Sequence, residues 1–299
     1  MSTIPTLEEQ YRALREGCGI AVLSWRGGFE LLGPDRHRFL HNYLTCDVKG
    51  LASGKSAFGF FTSPQGRILS DALLLAGEER LQVEVDRDQV EPLMAHLKKY
   101  ILVDRVEIRP IEGLTPVVAV GPQAEAVLGD LAVQPRSLMG APAWTVWAQD
   151  PEAIAERLRQ AGVTRVESEA LDVLRVEAGI PRFGQDYGPE NFPQETGIEE
   201  AVSYTKGCYL GQEVVARIHY RGGVQNLLRG LVFDGDVAAG TPILHDGREA
   251  GRATTVVRSP VLGKTVGLGI LHKRAAEPGT RVEVESGGTA EVRELPLRP

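Results

Sequence analysis

Cysteine is scarce in this 299-residue sequence: Cys18, Cys46 and Cys208 are widely separated and odd in number. That excludes a disulfide framework, and no Cys-x-x-Cys knuckle is present to hold a metal, so a reducing cytoplasm is the expected compartment. Long apolar runs are missing too. No stretch approaches the roughly 18 residues needed to span a bilayer, so no membrane association is expected. The opening MSTIPTLEEQYRALREG has acidic residues and no apolar core, which fits neither a secretion signal nor an Arg-rich transit peptide. Positive charge is in deficit, with 33 Lys and Arg against 40 Asp and Glu and a net charge of −7. A broad basic surface for direct nucleic-acid binding is therefore not expected. Low-complexity tracts and short repeat periods are absent. A near-match to a phosphate loop, GLASGKS at Gly50 to Ser56, has three residues between its glycines where the motif needs four, and no long helix pattern follows it.

What is present is ordinary globular material, 42% hydrophobic and 24% charged, long enough for two or three domains. Strand-like GIAVLSW and GFELLG suggest a pair joined at Gly27-Gly28, and PDRHRFLHNYL has helical spacing. KSAFGFFTSPQGRILSDALLL predicts strands around a turn at Ser63 to Gly66. Asp86 is placed to cap a helix carrying Val90, Leu93, Met94 and Leu97 on one face, and ILVDRVEIRPI alternates like a strand. Asp150-Pro151 is a strong helix start for EAIAERLRQAG, and EALDVLRVEAG predicts another helix ending at Gly179. From Gly179 to Thr205 the chain is rich in Gly, Pro, Asn and Gln yet carries Phe183, Phe192 and Tyr204; an irregular segment of this length and aromatic content points to function. Beyond Gly223, short strands between Asp-Gly and Gly-Gly turns predict a small antiparallel barrel or sandwich, with a domain boundary near residue 225.

The most distinctive stretch is KGCYLGQEVVARIHYRGG, Lys206 to Gly223. Val214, Val215 and Ile218 predict a helix starting near Gly211. Cys208 then precedes a helix N-terminus, with Lys206 two residues away, and both favour thiolate over thiol. The same spacing equally fits a small buried cysteine in a tight turn. His219 is a candidate partner for the thiol, on weak evidence. From Lys206 to Arg229 the count is Lys206, Arg217, Arg221 and Arg229 against Glu213, a local charge of +3. That suits either a solvated face or a site for an anionic ligand tail.

KGCYLGQE resembles the octapeptide of the YgfZ family, folate-binding relatives of glycine-cleavage T-protein (GcvT, aminomethyltransferase). LRVEAGIPRFGQD, Leu174 to Asp186, is similar to that family's R-x-E-x-G-x-P-x-x-G-x-D segment, and NFPQETGIEEAVSYTKGCYLGQE continues it without a gap. FLHNYLTCDVKGL and TSPQGRILSDALLL resemble two earlier family elements. The resemblance runs from about Phe39 to the C-terminal barrel and favours a functional Cys208.

The resemblance implies an α+β fold: a three-domain cloverleaf with two mixed α/β domains around a central folate channel, followed by a C-terminal antiparallel β-barrel. On that scheme residues 1–224 form the folate-binding region, two interleaved subdomains of which one spans roughly 48–111, and 225–299 form the barrel. It implies tetrahydrofolate or a derivative as cofactor, with Glu195 on the pterin, Tyr204 and Phe192 near the ring, Arg217 and Arg221 toward the glutamate tail, and Lys206 as a further cofactor-binding residue. T-protein has two adjacent aspartates where this chain has Ser70-Asp71, and it lacks the octapeptide cysteine. Those departures argue against simple aminomethyl transfer and leave Asp71 as the remaining carboxylate. The expected function is then a tetrahydrofolate-binding accessory protein for iron–sulfur cluster assembly or repair. It would partner iron–sulfur enzymes or assembly proteins, support tRNA-modifying enzymes indirectly, and use Cys208 as the reactive thiol. The alternatives are an aminomethyltransferase-like one-carbon transferase and a non-catalytic folate-binding or partner-docking module.

Overall fold

The computed structural model describes residues 5–129, 131 and 134–298, folded into two mixed α/β domains and a closed barrel. The chain enters the first α/β domain twice. Helix Leu7–Glu16 and strand Gly19–Val22 begin it, and strands Thr115–Val120, Gln134–Arg136, Ala143–Ala148 and Thr164–Arg165 complete it later. Gly19–Val22 runs antiparallel to Thr115–Val120 and parallel to Thr164–Arg165. Both faces of this sheet are covered, which is why PVVAV, Pro116 to Val120, is apolar throughout. Val117 and Ala119 pack toward helices Ala124–Leu128 and Pro151–Gln160, while Val118 and Val120 pack toward Leu7–Glu16 and Ser168–Glu177, as the two-residue period of a strand requires. Asp150 caps its helix as expected, accepting from the Ala153 N–H at 2.9 Å.

Between those visits, residues 26–110 build a five-stranded antiparallel sheet in the order Ser56–Thr62, Ile68–Ala76, Arg80–Asp86, Arg26–Leu32, Glu107–Pro110. It therefore takes in strand Arg26–Leu32 and helix Arg36–His41 as well as the 48–111 segment. Helix Val90–Lys98 covers one face through Val90, Leu93, Met94 and Leu97, packed with Phe29, Leu31 and Phe61. Each fully buried side chain of this size stabilises the fold by about 1.5–3 kcal/mol. The other face meets the first sheet: Gln134 donates to Gln82 at 3.0 Å and Arg136 to Glu84 at 2.7 Å.

Three local expectations fail for stated physical reasons. The pair predicted at Gly27-Gly28 does not form, because Gly19–Val22 and Arg26–Leu32 enter different sheets and both glycines lie inside the second strand. A Cβ on Gly28 would sit 2.6 Å from the Val83 carbonyl oxygen and 3.1 Å from Trp147, so the glycine there serves close sheet packing. Asp86 makes no cap; its carboxylate is taken by Arg26 at 2.9 Å, and a 3-10 turn, Arg87–Gln89, precedes the helix. In ILVDRVEIRPI only Glu107–Pro110 is strand, and Leu102 and Val103 are both 85% exposed.

Strands Asn226–Phe233, Lys264–His272, Arg248–Ser259, Pro242–His245, Arg281–Val284 and Thr289–Arg293 close the antiparallel barrel in that spatial order. Leu231, Phe233, Ile243, Leu271 and Val292 fill it. The chain then returns to the α/β body, where the Leu297 N–H meets the Glu177 carbonyl at 2.9 Å.

Candidate functional site

The two sheets and helix Ser168–Glu177 line a cavity of about 110 Å³, partly open to solvent. Its apolar wall is Leu23, Trp25, Phe58, Leu73 and Met139; its charged groups are Arg26, Asp71, Arg136, Asp172, Arg175 and Arg182.

Arg26 organises the floor. Its guanidinium holds Glu84 at 2.9 Å, Asp86 at 2.9 Å and Asp71 at 3.2 Å. Burial works against its charge, but the three carboxylates outweigh burial and raise its pKa. Glu84 is also buried; burial pushes its pKa up, yet Arg136 and Arg26 hold it below the usual carboxylate value. For Asp86 burial prevails and the pKa is raised. The Asp71 oxygen bound by Arg26 is Oδ1; among the described residues no protein donor reaches Oδ2. Two further observations mark the cavity as built for a ligand. The Arg136 side chain is only 8% exposed, yet its Nε has no partner, and the Arg182 guanidinium stacks 4.6 Å from the Trp25 ring.

The R-x-E-x-G-x-P-x-x-G-x-D segment fixes this cavity to the barrel. Arg175 binds Asp172 at 2.5 Å, Asp186 at 2.6 Å and Thr255 at 2.9 Å. Asp186 accepts in addition from the Arg182 N–H at 2.9 Å and from the Thr254 and Thr255 hydroxyls at 2.5 and 2.6 Å. Glu177, fully buried, accepts from Tyr11 at 2.5 Å and Ser259 at 2.6 Å. Buried charges need such partners, since an unpaired one costs several kcal/mol, on the order of 3–5.

The octapeptide lies elsewhere, docked on residues 41–45 and on the 62–66 turn. Lys206 donates to the carbonyls of His41 and of Leu44, the latter at 2.7 Å, while the His41 ring meets the Lys206 carbonyl at 2.9 Å. Leu210 N–H reaches the Asn42 carbonyl at 2.9 Å, and the Thr62 hydroxyl reaches the Leu210 carbonyl at 2.5 Å. Gly211 has φ of +83°, and a Cβ there would lie 2.3 Å from the Ser63 carbonyl oxygen; this left-handed residue lets helix Gln212–Arg221 start where expected. Burial lowers the Lys206 pKa to about 8 and also lowers that of His41. Cys208 is exposed on this fixed loop, while Cys18 and Cys46 are buried. Burial pushes their thiols up to about 11 and about 12.

Of the residues singled out in the sequence, Asp71 alone lines the cavity. Ser70 is buried with its hydroxyl on the Asp71 carbonyl at 2.9 Å. Glu195 is 3% exposed and outside the cavity wall. Its oxygens accept from Asn191 at 2.9 Å, the Phe192 N–H at 3.1 Å and Asn226 at 3.0 Å. Phe192 lies under Arg67 at 3.7 Å. Tyr204 stacks on His219 at 3.7 Å beside the octapeptide. The local +3 disperses: Lys206 turns inward to carbonyls rather than toward the Cys208 thiol, Arg217 pairs with Glu213 at 2.6 Å, and Arg229 binds the Ala276 carbonyl. Arg221 stays exposed on the last helical turn. Sequence reasoning missed Trp25, Arg26, Arg136 and Arg182. One signal was available, since Arg175 interrupts an otherwise apolar helix face and Arg182 follows it in the same quoted motif.

Among the described residues no His, Cys, Asp and Glu cluster could hold a metal ion, and no helix is long and apolar enough to cross a membrane. Residues 2–146 match the GCVT N-terminal domain, and residues 227–297 match the glycine cleavage T-protein C-terminal barrel domain. The chain is 28% identical to a chloroplastic Arabidopsis thaliana protein provisionally named a transferase, over 97% of this chain and 73% of that one. It is 26% identical to the aminomethyltransferase of Bacillus subtilis, over 94% of this chain and 86% of that one. The glycine cleavage system aminomethyltransferase T of Bartonella henselae superposes with a TM-score of 0.87, covering 97% of this chain and 89% of the other at 23% identity. The chain thus carries the N-terminal domain and the C-terminal barrel of the glycine cleavage T-protein on a GcvT-like fold.

Proposed function

We propose that this protein binds tetrahydrofolate or a derivative in the central cavity and serves as an accessory to iron–sulfur cluster assembly or repair. Its Cys208 loop would face a partner protein outside the cavity. The observation that carries the folate part is the cavity itself. It has an apolar wall that includes Trp25 and Met139, the Asp71 carboxylate, an unpartnered Nε at Arg136, and the Arg182 guanidinium over the Trp25 ring. A carboxylate accepts from the amino-pyrimidine edge of a pterin, and guanidinium groups meet carbonyl and carboxylate oxygens. When bound, the folate supplies a one-carbon carrier. Asp71 orients it, Trp25 and Met139 exclude water from its ring, and Arg182 holds its polar edge.

Two observations favour the accessory reading over aminomethyl transfer. Ser70 stands where T-protein has a second aspartate, and its hydroxyl is already satisfied. Asp71 has one oxygen already engaged by Arg26 at 3.2 Å. The iron–sulfur part rests on the octapeptide resemblance and on the exposed cysteine it carries. A single thiolate cannot house a cluster, which ordinarily takes four protein ligands, so any cluster contact is shared with a partner.

The test has two arms. Calorimetric titration of the wild type with tetrahydrofolate is expected to show micromolar binding, and no binding to folded protein contradicts the cavity assignment. In parallel, cells carrying Cys208→Ser in place of the wild type are expected to lose activity of iron–sulfur enzymes. Unchanged activity there removes the thiol's role and leaves a folate-binding module. Formation of methylenetetrahydrofolate and ammonia from an aminomethylated carrier protein would instead establish the transferase.

A further inference from the structure

Buried hydroxyls are almost always hydrogen-bonded, and one left without a partner calls for an explanation. Tyr187 is 3% exposed and its hydroxyl has no partner among the described residues. Its ring stands edge-on to Phe60 at 5.8 Å and to Phe183 at 5.7 Å. Phe60 is the direct cross-strand partner of Asp71 in the antiparallel ladder, and side chains so paired lie on one face about 5 Å apart. Tyr187 is thereby held against the cross-strand neighbour of the cavity carboxylate, close enough to feel its charge. It cannot swing out: its carbonyl accepts from the Gly184 N–H at 2.8 Å, and its neighbour Asp186 is fixed by Arg175, Thr254 and Thr255. Burial, reinforced by the charge of Asp71, raises the phenol pKa well above its ordinary value, so the group is a permanent O–H donor.

Only one oxygen of Asp71 is restrained by the protein, through Arg26. Hydrogen bonds to reacting or ligand-binding groups are often long before the ligand arrives and tighten in the complex. We propose that Tyr187 is a positioning residue for Asp71. When a ligand with an N–H donor enters the cavity, the phenol closes a hydrogen bond to the carboxylate and turns its free oxygen to the ligand. The arrangement would favour flat heterocycles presenting an amidine-like or lactam N–H edge. This inference rests on the reading of the cavity as a folate site.

The test is calorimetric titration with tetrahydrofolate of the wild type, Tyr187→Phe, Asp71→Ala and the double variant, with thermal melting of each. Tyr187→Phe removes one hydroxyl and is expected to weaken binding about five- to tenfold, the worth of one hydrogen bond. It should melt at or above the wild-type temperature, because an unsatisfied group has been removed. On the Asp71→Ala background the same change is expected to cost no further affinity, since the two residues act as a unit. Unchanged affinity in Tyr187→Phe, or an equal loss on the Asp71→Ala background, overturns the positioning role while leaving the folate site standing. A wild type that binds no folate overturns the site reading and this inference together.

Discussion

The central cavity and the octapeptide loop place their charges in opposite ways. In the cavity, cations and anions from segments far apart in sequence meet around Arg26 and Asp186, each of which has several partners. On the loop, Lys206 makes no ion pair among the described residues and points its ammonium at the His41 and Leu44 carbonyls. The cavity is built for polar recognition among buried charges. The loop is built for rigidity, and it leaves one thiol in solvent. A residue's charge therefore says little about its role until its partners are known, because desolvation decides how strongly that charge acts.

This contrast can be broken most severely at Arg26. Arg26→Met strands Asp71 and Asp86 beside Glu84, and urea unfolding is expected to show a loss of about 3–5 kcal/mol; a loss under 1 kcal/mol would mean the buried carboxylates have other support. Asp71→Ala should spare the fold by comparison and weaken tetrahydrofolate binding by about 10- to 100-fold in calorimetry, the range for a charge-assisted hydrogen bond.

On the loop the effects are smaller. Lys206→Met removes two hydrogen bonds to carbonyls and is expected to cost about 1–2 kcal/mol in thermal melting. The pH dependence has a definite sign. The folded pKa near 8 is below the ordinary lysine value, so between about pH 8 and 10.4 the unfolded chain holds more protons and wild-type stability gains from rising pH. The stability gap between wild type and Lys206→Met should widen over that window; a constant gap contradicts the buried-ammonium account. Smallest of all, Cys208→Ser should shift stability by less than about 0.5 kcal/mol, as exposed substitutions do, and leave folate affinity unchanged.

Much of the fold was legible because it follows local periods. The barrel strands, the helix after Gly211, the Asp150 cap and the face Val90, Leu93, Met94 and Leu97 are all set within a few residues. The failed pair at Gly27-Gly28 shows the limit. Those glycines are a hairpin signal by themselves, and only the approach of Val83 and Trp147 from other strands makes them interior. The site was less legible for the same reason. Trp25, Arg26, Asp71, Arg136 and Arg182 converge from separate segments, and no spacing rule joins residue 26 to residue 136. Glu195 illustrates the converse. The family resemblance placed it on the pterin, and in the fold its carboxylate accepts from Asn191, Phe192 and Asn226.

The central claim is that ligand recognition and the exposed thiol occupy different places. A crystal structure of the protein grown with tetrahydrofolate tests it most directly. The account predicts ring density in the central cavity, between Trp25 and Asp71, with Cys208 untouched. Density against Cys208 and Tyr204, with the cavity empty, would contradict it.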